Sequence, residues 1–563
     1  MISEFYGHFK PAGPPPVKGF TAIHRTIVNT AKPLFVVTID GEPAVSQDGQ
    51  IIASNAVVST APADQKDHYP LLSWAPPLLP QDLGNAAFKK RYHIKYPYVA
   101  GAMAHGISSV ELVKAAAHAG MIGFFGAAGL SLADLETAIM RLKSELAETG
   151  SQPRLPYGLN LIFSGNPELE MATVNLYLKH GIDLVSAAGY LKLTLPLLYF
   201  RIKGIYRDAD NTVVCPNTII AKTSRLEIAK QFLSPPPDKM IAQLVQQELI
   251  SEEEASLAGY IPVAQDLTAE ADSGGHTDNR AAISLLPSMI DLRDHLAQTH
   301  QYASANVPCP CIGLGGGIAT PKAVAAAFAM GADYVLSGSI NQACVEAGTS
   351  QTVKQMLAAA FQTDVMMAPS ANMFERGIKV QVLKRGSLFS QRAARLYEIY
   401  RTYDGISQLP DDIKNELETK IFQNSCEAEW ERCCGFFNAC DPGQIEAAEN
   451  NPKRKMALLF RSYLGQSSRW AICGDTSRQK DFQIWCGPAM GAFNEWARGS
   501  FLETPDHRKF KTIAMNLLFG ACVVMRRLRI ANDLAAVNMN LPASIGKFTP
   551  MTIEEVNEIL VNT

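Results

Sequence analysis

Residues Cys311 to Pro321 read CIGLGGGIATP, a short apolar strand that ends in a glycine-rich loop and runs into a helix beginning at Pro321. The Ala-rich helix stops at Gly331, and a second apolar strand begins near Asp333 and ends in the sequence SGS at residues 337–339. A strand, a helix and a second strand in this order are typical of a βαβ unit with parallel strands.

The same alternation of apolar strands and Ala-rich helices extends upstream to about Lys95. Strand-like segments begin near Tyr98, Met121, Tyr157, Asp183, Asn217, Tyr260, Cys309 and Asp333. Eight parallel strands are the number of a closed barrel, so the pattern predicts a (β/α)8 TIM barrel over residues 96–370 rather than a doubly wound sheet. The polar helical stretch near 234–259, which opens with Ser234-Pro235-Pro236-Pro237-Asp238, is expected to be an insertion outside the barrel.

The segments on either side of the barrel differ from it in hydrophobic pattern and charge content. Residues 1–95 contain short alternating runs with a turn signal at Asp40-Gly41, which predicts a small β-rich N-terminal region. Residues 371–563 are richer in charge and predict a mainly helical C-terminal subdomain.

Composition limits the function classes. The chain has 563 residues, and its 51 basic and 54 acidic residues give a net charge of −3, which argues against a general nucleic-acid binder. The longest apolar run, Thr512 to Met525, contains Asn516 and is shorter than the ~18 residues that a membrane span needs. The N-terminus lacks the apolar core of a signal peptide. We therefore expect a cytoplasmic protein with no membrane span.

The 11 cysteines are too sparse for a disulfide framework and are expected to be reduced thiols. Four of them lie close together in the sequence, at Cys426, Cys433, Cys434 and Cys440, but none of their spacings is that of a CxxC pair. This spacing does not favour a zinc site, and no metal site is predicted.

The most reactive-looking segment follows the sixth predicted strand. Residues Thr268 to Asp278 read TAEADSGGHTD and combine three carboxylates, a glycine pair and His276. A histidine with a pKa near neutrality can deliver a proton to a carbanion or enolate, and nearby carboxylates can raise that pKa and fix the tautomer. A metal cluster and a plain solvated loop remain the alternatives, the former weakened by the lack of a second ligand at the required spacing.

Other barrel strands also end in candidate binding residues. The first strand ends in AGAMAHG at Ala100 to Gly106, whose small residues would let a flat ring lie against the backbone. Asn160 is polar in an apolar strand and needs either the ring edge of a ligand or another core group as a partner. Lys222 could place positive charge over a reduced flavin or a phosphate, or could extend its amine into solvent.

The glycines that follow the seventh and eighth strands offer backbone N–H groups at helix N-termini. Barrels commonly bind a phosphate at these two loops, because the N–H donors and the helix dipole both favour an anion there. The alternative is that the glycines only make tight turns.

Several motifs together resemble the nitronate monooxygenase and FMN-dependent enoyl reductase superfamily. They are AAAHAGMIGFFGAAG at Ala115 to Gly129, the segment Glu270 to Arg280, and GSINQACVEAGT at Gly338 to Thr349. Further motifs resemble the PfaD enoyl reductases of bacterial polyunsaturated fatty acid and polyketide synthesis: MFE at 373–375, KVQVLKRG at 379–386 and QIWCGPAMG at 483–491. One departure is that the superfamily commonly has Glu-Ala-Gly-Gly-His where this chain has DSGGH at 272–276.

The resemblance implies an FMN cofactor with NADPH as hydride donor, and His276 as the catalytic proton donor. It implies a trans-acting enoyl reductase in which hydride passes from NADPH to FMN and on to an enoyl thioester carried by acyl carrier protein domains of a synthase, and we expect a homodimer. The phosphate would lie on Gly316, Gly317, Gly338 and Ser339, and the ring near Ala102, Met103, Asn160 and Lys222. Glu270, Gly274, Gly275 and Gly315 complete the expected cofactor site. The alternatives are an FMN oxidase or monooxygenase of the nitronate type and a non-catalytic docking subunit of the synthase.

An acidic carrier domain would require a local basic patch on a chain of near-neutral charge. Two runs could supply it, Lys89-Lys90-Arg91 and Arg526-Arg527-Leu528-Arg529. We prefer the first run because it immediately precedes the first barrel strand.

Overall fold

An antiparallel sheet forms the N-terminal region. The computed structural model describes residues 7–52, 68–148, 154–163, 165–300, 302, 306–440 and 443–561. The strands are β1 (His8–Pro11), β2 (Val17–Lys18), β3 (Leu34–Ile39), β4 (Glu42–Ser46), β5 (Gly49–Ile52) and β6 (Tyr69–Ala75), in the order β2-β4-β3-β6-β1-β5. Asp40 and Gly41 have φ of 56° and 80° and connect β3 to β4, as a two-residue hairpin with two positive φ angles requires. The predicted β-rich region and its turn are confirmed.

The eight predicted parallel strands close into a barrel, which confirms the fold class. They are β7 (Tyr98–Ala100), β8 (Ile122–Phe125), β9 (Tyr157–Ile162), β10 (Leu184–Ala188), β13 (Thr218–Thr223), β14 (Asp266–Glu270), β15 (Cys311–Gly315) and β16 (Tyr334–Ser337). The last strand pairs with the first in parallel, with Val335 level with Tyr98, and this pairing completes the cylinder. A small hairpin, β11 (Tyr206–Arg207) and β12 (Val213–Val214), lies between the fourth and fifth barrel strands.

The sixth barrel strand begins at Asp266, so the predicted start at Tyr260 is wrong. The apolar residues between them are buried without joining the barrel, because Val263 N donates to Ser234 O and Ala264 N donates to Phe232 O. Burial under a loop produces the same apolar pattern as burial in a strand.

Helices surround the barrel and cover its outer face. They are Val110–His118, Leu132–Glu145, Pro167–Lys179, Leu195–Ile202, Leu226–Phe232, Ala282–Thr299 and Pro321–Ala329, followed by the 3-10 helix Ser339–Ala343 and the helix Gln351–Ala358. Two further helices, Asp238–Gln246 and Glu252–Ala258, occupy the region expected to be an insertion.

The N-terminal end of the barrel is closed by the short helix Ala86–Arg91. The Phe88 ring stacks on Tyr334 inside the barrel, with ring centroids 4.1 Å apart and planes 8° apart. Arg91 forms an ion pair with the fully buried Asp266, which also accepts a hydrogen bond of 2.5 Å from Tyr92 Oη. The chemistry of the barrel is thereby restricted to its other end, where the carboxyl ends of the strands meet.

The C-terminal region is mainly helical, as predicted. Its helices are Phe389–Thr402, Asp411–Glu416, Cys426–Cys440, Gly443–Glu449, Pro452–Cys473, Pro488–Ala497, Phe510–Ala536 and Ile553–Val561, with a π-helical turn at Leu417–Phe422. It also contains a strand that was not predicted, β18 (Lys379–Leu383), which pairs antiparallel with β17 (Val365–Pro369). The long helix Phe510–Ala536 packs on both the barrel helix Pro321–Ala329 and β6 of the N-terminal sheet.

The Lys89-Lys90-Arg91 run is not a free basic patch, so the preferred docking prediction is wrong. Lys89 Nζ donates to the carbonyl oxygens of Gln81 and Leu83, and Arg91 is bound to Asp266. Only Lys90 of the three is exposed. The run also lies at the closed end of the barrel, remote from the strand ends where a thioester would react.

The Arg526-Arg527-Leu528-Arg529 run is structural too. Arg526 is 2% exposed and its Nη1 donates to the carbonyl oxygens of Asn29 and Lys32. Arg527 Nε donates to Ile545 O at 2.7 Å, and the Arg529 guanidinium lies over the Trp74 ring. Arg526 and Arg529 thus join this helix to the N-terminal region, whereas Arg527 binds the C-terminal segment that follows the helix.

The cysteines with described side chains are free thiols, and Cys426 and Cys433 are buried. Cys440 has no described side chain. Within the described ranges, no group of three or more His, Cys, Asp or Glu side chains could hold a metal ion. No helix in those ranges is both long and apolar enough to cross a bilayer.

Candidate active site at the carboxyl ends of the barrel strands

An ion pair lies inside the mouth of the barrel. Ile220 of β13 belongs to the interior apolar cluster, and strand alternation places Lys222 on the same face, two residues nearer the mouth. Lys222 Nζ lies 2.5 Å from Glu270 Oε1 on the neighbouring strand β14, and the two side chains are 27% and 16% exposed. Lys222 therefore does not simply extend into solvent, since a partly buried carboxylate holds its amine at the mouth.

His276 lies in the loop after β14, and the charges of both Lys222 and Glu270 affect its pKa. Its Nε2 is 3.3 Å from Ser370 Oγ, the residue directly after β17. The His276 side chain is partly open to solvent. Desolvation by the surrounding protein atoms lowers its pKa below the usual 6.5. Among the neighbouring charges, Glu270 raises this pKa and Lys222 lowers it. Glu270 thus raises the His276 pKa, as expected of a nearby carboxylate, but desolvation by the surrounding protein has the larger effect and lowers it.

The other two carboxylates of this loop are occupied elsewhere. Asp272 Oδ1 accepts hydrogen bonds from Asn279 Nδ2 at 2.8 Å and from Gln381 Nε2 at 2.9 Å. Asp278 binds Arg225, whose Nε lies 2.9 Å from Asp278 Oδ2. Glu270 is consequently the carboxylate that acts on His276.

The Asn160 side chain is hydrogen-bonded within the protein. Its Oδ1 accepts hydrogen bonds from the backbone N–H groups of Ala127 at 2.6 Å and Ala128 at 3.3 Å. The side chain is buried and fixes the loop that follows β8. The sequence left two possible partners for Asn160, the ring edge of a ligand and another core group. The structure shows the core group, and contact with a cofactor ring stays a prediction.

The small residues after β7 make a close backbone layer at the mouth. Gly101 N donates to Ser337 O of the neighbouring strand at 2.9 Å, and Met103 O accepts from Ser108 N at 3.1 Å. Ala102 packs against the interior apolar cluster, whereas Met103 packs against the larger outer core. A Cβ at Gly126 would collide with Met103 O, which explains the glycine there.

In the glycine loop after β15, a side chain would collide with its neighbours at Gly316 but would have open space at Gly317. Gly316 has a φ of +91°, and a Cβ there would lie 2.7 Å from backbone atoms of Ala271. Gly317 has a φ of +75° and nothing within 4 Å of an added Cβ. Gly315 ends β15, and its carbonyl accepts from Ala271 N at 2.8 Å. The loop is therefore held by its neighbour on one side and open on the other.

The loop after β16 offers free backbone donors. Gly338 has open space where a Cβ would be, and the 3-10 helix Ser339–Ala343 begins directly after it without a side-chain cap. In the described part of the chain, the N–H groups of Gly317, Gly338 and Ser339 have no protein acceptor. Donors of this kind at two adjacent strand ends could hold a phosphate group.

Gly274 and Gly275 allow a close approach by a distant segment. A Cβ on Gly274 would lie 3.0 Å from backbone atoms of Cys486, and one on Gly275 would lie 3.7 Å from Trp485 Cδ1. A Cβ on Gly487 would in turn lie 2.8 Å from Gly274 N. In this structure the glycine pair makes room for the chain at 485–487, and its part in cofactor binding stays a prediction.

His105 and Trp485 are site residues to which the sequence analysis gave no role. Their rings stack with centroids 5.7 Å apart and planes 3° apart. Burial lowers the His105 pKa, the Gly129 backbone raises it and Arg469 lowers it. Matching glycines in two distant segments, 274–275 and 487, were the available signal that these segments meet.

The family of the chain follows from comparison with known proteins. The family model for nitronate monooxygenase matches residues 85–428, which include the whole barrel. The chain belongs to the nitronate monooxygenase family. A second model, the inserted helical domain of [acyl-carrier-protein] S-malonyltransferase, matches residues 403–482. Trp485 and Gly487 lie beyond both matches.

Similar proteins are named for polyketide and polyunsaturated fatty acid synthesis. Polyketide biosynthesis protein PksE of Bacillus subtilis is 43% identical over 446 residues, which cover 79% of this chain and 57% of PksE. A polyunsaturated fatty acid synthase protein of Thraustochytrium is 39% identical over 459 residues, 80% of this chain and 30% of that protein. The chain thus matches only part of the length of either relative.

A solved structure supports the same family assignment. The enoyl reductase domain of MlnA, from the macrolactin biosynthesis cluster of Bacillus amyloliquefaciens, is 38% identical, with a TM-score of 0.75 over 80% of this chain and 99% of that domain. The resemblance to enoyl reductases of polyunsaturated fatty acid and polyketide synthesis is confirmed by these similarities.

Proposed function

We propose that this chain is a trans-acting enoyl reductase of polyunsaturated fatty acid or polyketide synthesis. It reduces the carbon-carbon double bond of enoyl thioesters carried by acyl carrier protein domains, with FMN as cofactor and NADPH as hydride donor. The observation that carries the proposal is the position of Lys222, Glu270 and His276 at the same barrel end as the free backbone donors at Gly317, Gly338 and Ser339.

The residues present fit an FMN. Its phosphate needs hydrogen-bond donors and space, and the loops after β15 and β16 supply free N–H groups beside open positions at Gly317 and Gly338. The ring would lie against the small residues after β7, near Ala102, with Lys222 providing positive charge. When bound, FMN supplies the capacity to accept hydride from NADPH and to pass it to the β-carbon of the enoyl thioester.

The protein's own contribution is proton supply and positioning. His276 is the candidate donor of the proton that the α-carbon takes up once the thioester carbonyl has accepted charge as an enolate. The Glu270 carboxylate favours the protonated imidazole, and the Lys222 ammonium disfavours it. The ion pair between them balances these influences while holding both side chains at the mouth.

The carrier-protein part of the proposal is supported by relatives rather than by a surface. PksE and the Thraustochytrium protein have names that place them in polyketide and fatty acid synthesis, and the helical region 403–482 matches a domain of an enzyme named for acyl carrier protein. Of the cations in the two predicted basic runs, only Lys90 and Arg529 are exposed, so neither run supplies a continuous basic patch.

Anaerobic stopped-flow mixing tests the reaction. Reduced, FMN-loaded protein mixed with a crotonyl thioester should reoxidise its flavin without oxygen, as only an enoyl reductase would. Reoxidation that needs oxygen would favour the nitronate type of oxidase. A purified protein that takes up no FMN would favour a non-catalytic docking subunit.

A further inference from the structure

A cleft opens at the rim of the barrel mouth, between the loops that follow β13 and β14. It has a volume of about 520 Å3. Its polar lining consists of Ser224, Arg225 and Glu227 from the loop after β13 and the helix that follows it, and of Arg280, Ser284 and Ser288 from the other loop and the helix that follows it. Leu226 and Leu285 add apolar walls. The lining thus contains two arginines, one glutamate and three serine hydroxyl groups.

The two arginines are in different states. Arg225 is held by Asp278, with Nε 2.9 Å from Oδ2 and Nη2 3.2 Å from Oδ1. Arg280 is exposed, and in the described part of the chain its guanidinium makes no hydrogen bond or ion pair. Both arginines act on the Asp278 charge, but only Arg225 is hydrogen-bonded to it, so the Arg280 guanidinium keeps planar N–H donors that could bind a phosphoryl oxygen.

The hydroxyl groups are adaptable donors. Ser224 Oγ donates to Asp278 Oδ2 at 2.6 Å, and Ser284 Oγ donates to Ala281 O at 3.1 Å. Ser288 Oγ donates to Ser284 O at 3.1 Å. Rotation of a serine hydroxyl would redirect its proton to a ligand without moving the backbone.

The cleft is separate from the glycine loops assigned to the cofactor. Those loops follow β15 and β16, whereas the cleft lies between β13 and β14. It nevertheless adjoins the reacting groups, because Arg225 is three residues after Lys222 and Arg280 is four residues after His276. A ligand in the cleft would therefore lie beside the entrance to the active site.

From this geometry we infer that the cleft binds the phosphoryl group of an incoming substrate. The inference rests on the proposed function, which brings two phosphorylated molecules to this mouth. One is the carrier-bound thioester, whose phosphopantetheine arm carries a phosphate beyond the acyl chain. The other is NADPH, through its 2′-phosphate. Both present the same chemistry to Arg225 and Arg280, and the experiment separates them.

The test compares probes that differ by one phosphate. Crotonyl-4′-phosphopantetheine and crotonyl-pantetheine are used as acceptors, and NADPH and NADH as donors, with the wild type and Arg280→Ala. The wild type should show a higher kcat/KM for the phosphorylated thioester, and Arg280→Ala should reduce this preference ~10-fold or more, the usual loss for a charged hydrogen bond. Arg280→Lys should restore part of it. Lys90→Ala, which removes an exposed cation at the opposite end of the barrel, should keep the wild-type preference.

The outcomes distinguish the two possible sources of the phosphate. Loss of the preference between the two thioesters assigns the cleft to the carrier arm. Loss of the preference for NADPH over NADH in flavin reduction assigns it to the nucleotide. If Arg280→Ala changes neither preference, the inference is wrong.

Failure of the proposed function would look different. If neither thioester reoxidises the reduced protein, the enoyl reductase assignment fails. The cleft is then tested by calorimetric titration of the FMN-loaded protein with 4′-phosphopantetheine and with pantetheine. Tighter binding of the phosphorylated molecule to the wild type but not to Arg280→Ala would support the cleft. Equal binding, together with an unchanged preference for NADPH over NADH in Arg280→Ala, would overturn it.

Discussion

Gly275 and Gln381 exchange both of their backbone hydrogen bonds. Gly275 N donates to Gln381 O at 3.0 Å, and Gln381 N donates to Gly275 O at 2.7 Å. The Gln381 side chain also binds the loop, since its Nε2 donates to Asp272 Oδ1 and to Ser273 O, both at 2.9 Å. The strand β18 thus fixes the loop that carries His276, although the two lie more than 100 residues apart in the chain.

Gln381→Glu should displace this loop. The new carboxylate would face Asp272 Oδ1 and Ser273 O, which are acceptors, in a site where Gln381 is only 5% exposed. The free energy of unfolding should fall by about 1–3 kcal/mol, as expected for a buried polar group without partners. The enoyl half-reaction should slow more than flavin reduction does. Urea unfolding and stopped-flow measurement of both half-reactions check the two effects.

Gln381→Met is the matched control, because it removes the two side-chain donors and introduces no charge. It should destabilise the protein less than Gln381→Glu does. Equal behaviour of the two variants would mean that charge repulsion at Asp272 is not the cause. Unchanged kinetics in both would show that the strand does not position His276.

The barrel could be predicted because its signals are local. Most strand ends carry glycines or small residues, and helices such as Pro321–Ala329 begin at a recognisable proline and stop before a glycine, here Gly331, so the number of strands follows from a single pass along the chain. The start at Tyr260 failed because the apolar pattern reports burial, and Val263 and Ala264 are buried by a loop rather than by a strand.

The covering segments of the site depend on contacts between distant residues, which a pattern along the chain does not record. Trp485 meets His105 across 380 positions, and the motif that contains Trp485 was recognised only through a family resemblance. The docking prediction failed for a related reason. A basic run such as residues 89–91 has the same composition whether it faces solvent or a buried carboxylate such as Asp266.

Gly338→Asp should abolish FMN binding without disturbing the fold. Gly338 has a negative φ of −123° and nothing within 4 Å of an added Cβ, so a side chain there would meet no other atom. An aspartate there would place a negative charge where the cofactor phosphate is expected, and Coulomb repulsion should prevent binding. Flavin absorbance per mole of purified protein measures the effect, and circular dichroism checks the fold.

Gly338→Asn is the neutral control of the same shape and should retain more flavin than Gly338→Asp. Gly316 is less suitable for this test, because its φ of +91° and its contact with Ala271 would strain any side chain. Full flavin content in Gly338→Asp would contradict a phosphate site at the end of β16.

Arg91→Ala should destabilise the protein and leave carrier docking unaffected. The substitution leaves the Asp266 carboxylate, which is fully buried, without its ion-pair partner. Removing one member of a buried pair typically costs about 3–5 kcal/mol. Lys90→Ala changes an exposed neighbour and should alter the free energy of unfolding by less than about 0.5 kcal/mol. Urea denaturation compares the two variants, and equal stabilities would contradict the assignment of Arg91 to the closed end of the barrel.

His276→Ala should separate the two half-reactions. Flavin reduction by NADPH should stay close to the wild-type rate, whereas the enoyl half-reaction should slow ~10²- to 10⁴-fold, the usual cost of losing a general acid. Equal slowing of both steps would instead make His276 a residue that positions the cofactor. Unchanged rates would leave it as part of a plain loop.

The pH profile of the enoyl half-reaction tests the same proton more directly. Burial holds the His276 pKa below 6.5, so the donor form is lost as pH rises through that lowered pKa, and the rate constant should increase toward acid pH with a midpoint below 6.5. Glu270→Gln removes the charge that raises this pKa and should move the midpoint to lower pH, whereas Lys222→Met removes the charge that lowers it and should move the midpoint to higher pH. Stopped-flow rates measured across the acid range in all three proteins provide the comparison. Midpoints that shift in the same direction in both variants, or a wild-type profile that persists in His276→Ala, would show that another group supplies the proton.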